Sequence, residues 1–476
     1  MTASITFGTD GWRALIAEDY TFDNVRLCAQ AVSDWVRAQG KADQGIVIAY
    51  DTRFGSDRFA EAVAEVAAAN KVPVALCEKP CPTPVASYSV VDRKAAGGVV
   101  ITASHNPGAY NGFKVKPDFG GSAPPEVTLG LEARIRDLQR EGVPIRRMDL
   151  SDAERSGTVV RFDPFPRYAA QVAKLLDLER PRQAGLKIVV DSMHGAGSGC
   201  LRDLLQGGST QVIEIRSDVN PSFPGMHNPE PIEHNLVPLR EAVLREHADL
   251  GLATDGDADR IGVMDERGVF VNQLQTYALL FLYLLEVRGQ RGPAVRSLTS
   301  TMMADRLGAR YGVPVYETAV GFKYVGPKMI ETNAILGGEE SGGFGFGGHI
   351  PERDAPVAGL FLIDLMVALG KPMSQVLDHL TEEAGASFYD RWDVTFAETE
   401  RKAILGRVSG AAPDKLCGRT VVSVNEIDGK KFVLDDGSWL LIRFSGTEPL
   451  LRIYTETSSA DQVQRILAAG RELAGV

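Results

Sequence analysis

Short apolar runs of four or five residues alternate along the chain with longer stretches in which Ala, Leu and Arg recur at helical spacing. This alternation predicts an α/β protein built around mostly parallel sheets. The pattern recurs three times. The first copy reads strand Ile46–Tyr50, helix Ser56–Ala69, strand Val72–Leu76 and strand Gly98–Thr102. The second reads Leu186–Val190, helix Gly199–Gln206, Gln211–Ile215 and Asp249–Ala253; the third reads Ser297–Ser300, helix Met302–Tyr311, Val313–Tyr316 and Asn333–Leu336. In every copy the last strand runs into a polar loop: Thr102–Pro107 (TASHNP), Asp255–Arg260 (DGDADR) and Gly338–Gly343 (GEESGG). Ligands of open α/β sheets bind beyond the carboxyl ends of the strands. Three equivalent loops therefore predict three similar domains facing one cleft.

The end of the chain breaks the pattern. Thr420–Val424, Lys431–Leu434, Trp439–Phe444 and Leu451–Glu456 read as antiparallel strands joined by turns such as Asp428-Gly429 and Asp436-Gly437, and a helix follows over Ala460–Leu473. The expected architecture is α/β: three similar mixed α/β domains plus a smaller C-terminal α+β domain around a central active-site cleft. The expected spans are 1–150 with the serine loop, 151–260 with the aspartate loop, 261–380 with the Glu339 loop and 381–476 with the loop Arg443–Pro449 (RFSGTEP). Polar Glu141–Arg155 reads as a linker. A length of 476 residues agrees with three or four domains at roughly 100–200 residues each.

Composition narrows the function. At 44% hydrophobic, 24% charged and 7% aromatic the chain is ordinary globular protein, which excludes disordered, collagen-like and coiled-coil classes. A net charge of −11 argues against a nucleic-acid partner but leaves room for a small anion beside a local cluster of cations. Five widely spaced cysteines suit neither a disulfide framework nor a zinc site, so a reducing cytoplasm is expected. Met1–Arg13 lacks the features of a signal peptide, and the apolar run Ala278–Leu285 is far below the ~20 residues of a membrane helix. That run predicts a buried core helix, and no membrane partner is expected.

The loops carry the chemistry. Asp255, Asp257 and Asp259 alternate just after a strand, and three carboxylates turned to one point would repel unless a cation neutralised them. All-oxygen ligation suits a hard ion such as Mg²⁺. An EF-hand reading fails because Arg260 falls where that loop's sharp turn requires Gly, and the flanks read as strands. Spacing alone leaves Ser104 open as a nucleophile or as part of a Ser/Asn/Pro turn. No G-x-S-x-G elbow surrounds it, and His105 as an immediate neighbour suits a hydrolase triad poorly. A serine near three aspartates and a cation points to phosphoryl chemistry. Lys114 is then a candidate proton carrier or a solvated surface lysine. Glu339 and Ser341 suit paired sugar hydroxyls, or form a flexible turn. The G-x-G-x-x-G of Gly343–Gly348 opens no helix and is no dinucleotide fingerprint. Arg443, Ser445, Thr447 and the backbone around Gly446 suit a phosphate cradle or a hairpin turn with a surface arginine.

Taken in order, these segments resemble the α-D-phosphohexomutases: phosphoglucomutases, phosphomannomutases and phosphoglucosamine mutases. The resemblance runs nearly the whole chain, from Gly8–Arg13 (GTDGWR) through TASHNP, Asn111–Lys114 (NGFK), DGDADR, GEESGG and RFSGTEP. It implies four domains around one cleft and a Ser104 that is phosphorylated in the active enzyme. It implies that Asp255, Asp257 and Asp259 bind Mg²⁺ together with that Ser104. Arg13, His105 and Lys114 would line the reacting end, with Lys114 and His105 as acid/base candidates. Glu339 and Ser341 would hold sugar hydroxyls, and Arg260 and Lys323 would contact substrate. Arg443, Ser445, Gly446 and Thr447 would hold the phosphate that is not reacting. The implied reaction passes through a hexose 1,6-bisphosphate, which also serves as activator.

Substrate preference follows from details of the same resemblance. Gly343 stands where the bacterial phosphomannomutase/phosphoglucomutases often have His, and Glu340 where phosphoglucosamine mutases favour Gln. His349-Ile350 with Arg353-Asp354 look closer to the phosphoglucomutases, and Val320–Lys323 resembles a sugar-specificity loop. Glucose 1-phosphate is the expected substrate, with mannose 1-phosphate second and glucosamine phosphate third. A non-catalytic sugar-phosphate binder on the same scaffold should lack an essential group, and none is missing. A serine phosphatase needs water at the phosphoserine and usually more metal ligands than three aspartates. The expected partner is a small hexose phosphate, taken up by a monomer or homodimer.

Overall fold

The computed structural model describes residues 5–8, 10–142, 144–445 and 449–476. Three sheets share one strand order. In the first, Tyr110–Pro117, Gly97–Ile101, Ile46–Tyr50 and Val74–Cys77 lie side by side; in the second, Ile261–Asp265, Leu250–Thr254, Lys187–Asp191 and Gln211–Ile215; in the third, Phe344–Phe346, Leu336–Gly338, Ala294–Ser297 and Val315–Thr318. Each central strand pairs parallel with both neighbours, and the outer strand closes antiparallel. The loop between the last parallel strand and that antiparallel strand is TASHNP, DGDADR or GEESGG, so the sequence repeat is also a repeat of topology. Ile46–Tyr50, Gly97–Ile101, Leu250–Thr254 and Ile261–Asp265 are buried along their whole length, as expected of strands covered on both faces.

The expected domain boundaries shift. Strand Val159–Phe162 pairs parallel with Val74–Cys77, so the first sheet continues past residue 150. The expected linker Glu141–Arg155 instead contains helix Leu150–Arg155, capped by Asp149, with Ala153 buried in the first core. Ile261–Asp265 and Phe270–Val271 complete the second sheet, carrying that domain past residue 260. Helix Met373–Ala384 crosses the expected boundary at 380 and packs its Met373 and Val376 into the core shared with the third domain. In the third repeat the first strand is Ala294–Ser297 rather than Ser297–Ser300. Leu298, which extended the apolar run in the sequence, lies outside the strand and packs with Trp439, Leu441 and Tyr454.

The fourth domain is a six-stranded antiparallel sheet backed by helix Ala460–Ala474. Two of its strands escape the apolar pattern. Phe388–Thr395 is a largely uncovered edge strand rich in charge, and Lys415–Leu416 is only two residues long. The largest core runs through the second and third domains, takes in Ala49, Val85 and Val100 of the first, and includes Ala278–Leu285, every residue of which is buried as expected. The first and fourth domains keep cores of their own. None of the five cysteines is in a disulfide. Among the described residues no single helix is long and apolar enough to cross a membrane.

Candidate active site

Ser104 follows strand Gly97–Ile101, where the chain turns back into Tyr110–Pro117. It is fully buried with φ of +52°, a left-handed conformation that costs a non-glycine residue about 1–3 kcal/mol and persists only where its surroundings impose it. The surroundings do so. The Ser104 amide donates to Thr102 Oγ1 at 2.8 Å, its carbonyl accepts from Arg53 Nη2 at 2.5 Å, and its hydroxyl donates to Asp255 Oδ2 at 2.9 Å. His105 Nδ1 lies 3.4 Å from the same hydroxyl. Burial, together with the positive charges of Arg260, Arg13, Lys114 and Arg53, holds His105 well below its usual pKa, so its imidazole is neutral at pH 7.

The aspartate loop converges by curling rather than by extending. Asp255 Oδ1 accepts the backbone N–H groups of Asp259 and Arg260 at 3.0 and 3.1 Å, and Ala258 adopts φ of +56°. One oxygen each from Asp255, Asp257 and Asp259 then lies within 4.8 Å of the others, all three residues being fully buried. Burial and the repulsion of Asp259 and Asp257 push the Asp255 carboxyl well above the usual range. Burial acts the same way on Asp257, but Lys114 and Thr83 override it and bring that carboxyl down. Asp257 Oδ1 and Asp259 Oδ1 are buried without a hydrogen-bond partner. An unpaired buried acceptor is costly, and two of them in an all-oxygen cluster fit a hard divalent cation such as Mg²⁺.

Cations surround this cluster. Lys114 Nζ lies 2.8 Å from Asp10 and Asp257 and 3.1 Å from Asp259. Burial would lower its pKa, but the three carboxylates outweigh that and raise it, so Lys114 is an ammonium here. Arg13 Nη1 donates to Asn106 Oδ1 at 2.7 Å, beside the serine loop. Arg260 Nη1 pairs with Glu230 at 2.8 Å, and its buried Nε has no hydrogen-bond partner.

Several groups here were assigned no role in the site from the sequence. Asp10 bridges Lys114 and Arg353; Arg353 also reaches Asp259 at 2.9 Å; Lys116 pairs with Glu352 at 2.5 Å; Thr83 Oγ1 donates to Asp257 at 2.5 Å. These contacts tie the first three domains together. A signal was available in Tyr110–Pro117 (YNGFKVKP), where two lysines alternate within a strand that is otherwise apolar or small. A lysine on such a strand requires a buried partner.

On the sugar side, Glu339 is buried and accepts the Gly321 N–H at 2.9 Å. Burial raises its pKa, against the pull of Arg353 and Arg260. Gly321 has φ of +126°, which only glycine adopts without strain, and it starts the helix Phe322–Thr332 that carries Lys323. Lys323 Nζ reaches the Gly8 carbonyl at 3.4 Å. Ser341 is half-buried in the turn that follows Glu339. Glu340 engages the fourth domain instead, accepting from Tyr389 Oη at 2.7 Å and pairing with Arg391 at 3.4 Å.

Arg443 ends a strand of the fourth domain and ion-pairs with Asp428 at 3.0 Å, while Asp428 Oδ2 accepts the Val320 N–H at 3.1 Å. Ser445 is buried, its amide bonded to the Leu450 carbonyl. Gly446 and Thr447 lie outside the described residues. The expected residues thus fall into two groups. Ser104, His105, Lys114 and the aspartates are in mutual contact, with Arg13 and Arg260 beside them. Glu339 bonds to Gly321, two residues before Lys323, and Arg443 reaches the same segment through Asp428, which accepts the Val320 N–H.

The chain matches, in order, the phosphoglucomutase/phosphomannomutase alpha/beta/alpha domain I at 4–141, domain II at 166–268, domain III at 272–384 and the C-terminal domain at 397–473. It is 30% identical over 475 residues to a phosphoglucomutase/phosphomannomutase of Thermococcus kodakarensis, covering 98% of each chain. It is also 30% identical over 474 residues to a phosphoglucosamine mutase of Paenarthrobacter aurescens, covering 97% of this chain and 95% of the relative. A crystal structure named as a phosphomannomutase from Thermus thermophilus superposes with a TM-score of 0.84 at 34% identity over 100% of both chains.

Proposed function

The chain belongs to the phosphoglucomutase/phosphomannomutase family, the α-D-phosphohexomutases, and from that premise we propose that it interconverts glucose 1-phosphate and glucose 6-phosphate through a phosphorylated Ser104. As a phosphohexomutase it is an isomerase-type phosphotransferase. The observation that carries the choice of Ser104 is its buried hydroxyl, donated at 2.9 Å into an aspartate triad that holds two unpartnered oxygens.

Asp255, Asp257, Asp259 and the Ser104 oxygen would hold Mg²⁺, which when bound offsets their negative charge and that of the transferring phosphoryl group. The remaining work falls to the chain itself. Phosphorylated Ser104 gives its phosphoryl group to the free 6-hydroxyl of glucose 1-phosphate. The hydroxyl proton passes to a neighbouring base, and the neutral His105 imidazole 3.4 Å from Oγ is suited to take it. The bisphosphate turns over, and its 1-phosphoryl group returns to Ser104 while a proton goes back to the sugar oxygen. Lys114, held as an ammonium, stabilises the charge on the transferring group. Glu339, Ser341 and Lys323 orient the sugar, and Arg443 with Ser445 grips the phosphate at the far end.

The test is a coupled assay of glucose, mannose and glucosamine 1-phosphates with Mg²⁺ and a trace of glucose 1,6-bisphosphate. The expected order of kcat/KM is glucose, then mannose, then glucosamine. Intact-mass analysis should find one phosphate, at Ser104. Conversion of glucosamine phosphate alone would favour the second reading, which has support in relatives named as phosphoglucosamine mutases.

A further inference from the structure

We propose that Arg53 is a positioning residue that fixes the geometry of the serine loop for phosphoryl transfer, an inference that rests on the reading of Ser104 above. A guanidinium has five N–H donors, and all five are used. Nε donates to Asp51 Oδ2 at 3.1 Å. Nη1 donates to the carbonyls of Pro107 and Tyr110 at 2.9 and 3.0 Å, and Nη2 to those of Ser104 and Asn106 at 2.5 and 2.6 Å. One side chain therefore gathers four carbonyls of a single loop, among them that of the residue with φ of +52°.

The clamp is itself held. Asp51 Oδ1 accepts the Arg53 amide and the Ser56 hydroxyl, each at 2.9 Å, and the Asp51 amide donates to Ile101 in the strand that leads to Ser104. Both charged side chains are fully buried. The guanidinium stacks 5.0 Å from the ring of Phe223 in the second domain. The aspartate loop packs on the same point. A Cβ on Gly256 would come within 2.5 Å of the Ser104 carbonyl and 3.5 Å of Arg53 Nη2. Arg53 touches no group expected to react. It acts by setting where the Ser104 hydroxyl stands against Asp255. Lysine, with three donors radiating from one atom, cannot span four carbonyls in a plane, so this site separates arginine from lysine.

The experiment compares Arg53→Lys with the unaltered protein, in steady-state kinetics on glucose 1-phosphate and in amide hydrogen exchange. A nucleophile displaced by about 1 Å loses about a hundredfold in rate. The expected result is a fall in kcat of that order, KM within threefold, and faster exchange in residues 103–111 with strand 46–50 unchanged. A kcat within threefold, or a loss confined to KM, overturns the proposal. Equal loss of protection in both segments also overturns it, because Arg53 would then hold up the domain and not the loop. Should Arg53→Lys fail to fold, Asp51→Asn keeps a side chain of the same shape and weakens the clamp; it should show the same selective exchange and a smaller fall in kcat, and unchanged exchange there overturns the proposal. An unaltered protein that converts none of the three sugar phosphates refutes the Ser104 reading instead, while the exchange comparison still decides the clamp.

Discussion

Around Ser104 the hydroxyl, three carboxylates and Lys114 are buried and hold one another across two domains, whereas Arg443, in the fourth domain, ion-pairs with Asp428 of its own domain. The hydrogen bonds that join the fourth domain to the rest, among the described residues, run to the third domain. Glu456 alone accepts from Thr301 Oγ1 and Met302 N across that junction, and from Ser387 Oγ and Trp439 Nε1 beside it. Lys431 adds bonds to the Leu298 carbonyl and to Glu317. One end of the site is thus fixed by many contacts among the groups expected to react, and the other is carried by a domain fastened to the third. Phosphoryl transfer demands placement to a fraction of an ångström. Recognition of either end of a turning bisphosphate demands room, and a domain fastened on one side can supply it.

The comparison is broken most directly at the chemical end. Ser104→Ala should lower turnover by about 10⁴-fold or more, as removal of a covalent nucleophile does, and should abolish the phosphate seen by intact mass. Retention of full activity would remove the basis for calling this end the reacting one. Asp257→Asn should cost about 10²–10³-fold in kcat, the range for loss of one preorganised electrostatic group. It should also raise the Mg²⁺ concentration needed for half-maximal rate. A change in rate with no change in Mg²⁺ dependence would detach the triad from the metal.

Arg443→Ala sharpens the other side. It removes a charge-assisted contact worth about 1.5–3 kcal/mol, so kcat/KM should fall about 10–100-fold, mostly through KM. A fall confined to kcat would mean that Arg443 belongs with the Ser104 group, and the division between the ends would not hold.

Much of this was legible in the sequence because the loops that carry chemistry follow strands that are apolar over most of their length. Ile46–Tyr50, Gln211–Ile215 and Trp439–Phe444 lie where their apolar runs predict them. Leu298 shows the limit. An apolar residue next to a strand satisfies the pattern equally well by packing on another domain, and the sequence does not say which. The edge strand Phe388–Thr395 was missed for the converse reason, since an edge open to solvent carries charges where a central strand would not. In the site, the ligands that act through their own chemistry were legible, while the groups that hold them were not. Asp10, Arg53, Glu352 and Arg353 are ordinary charged residues until distance reveals that each answers a buried opposite charge or a set of carbonyls 50 or more residues away.

Glu340 gives the finest test of the two ends. Its contrast with the Gln of phosphoglucosamine mutases is one of the residue differences that favour glucose over glucosamine, yet its carboxylate is committed to Tyr389 and Arg391 of the fourth domain. A group committed to a domain contact reads the sugar only indirectly. Glu340→Gln keeps an acceptor for the Tyr389 hydroxyl and loses a partly exposed ion pair, worth about 0.2–1 kcal/mol. The relative kcat/KM values for glucose, mannose and glucosamine 1-phosphates should therefore stay within about twofold of the unaltered ratios, while Glu339→Gln, at the carboxylate bonded to Gly321, should change them. A switch toward glucosamine in Glu340→Gln would show that the docking of the fourth domain itself selects the sugar, and the two ends would then be one device.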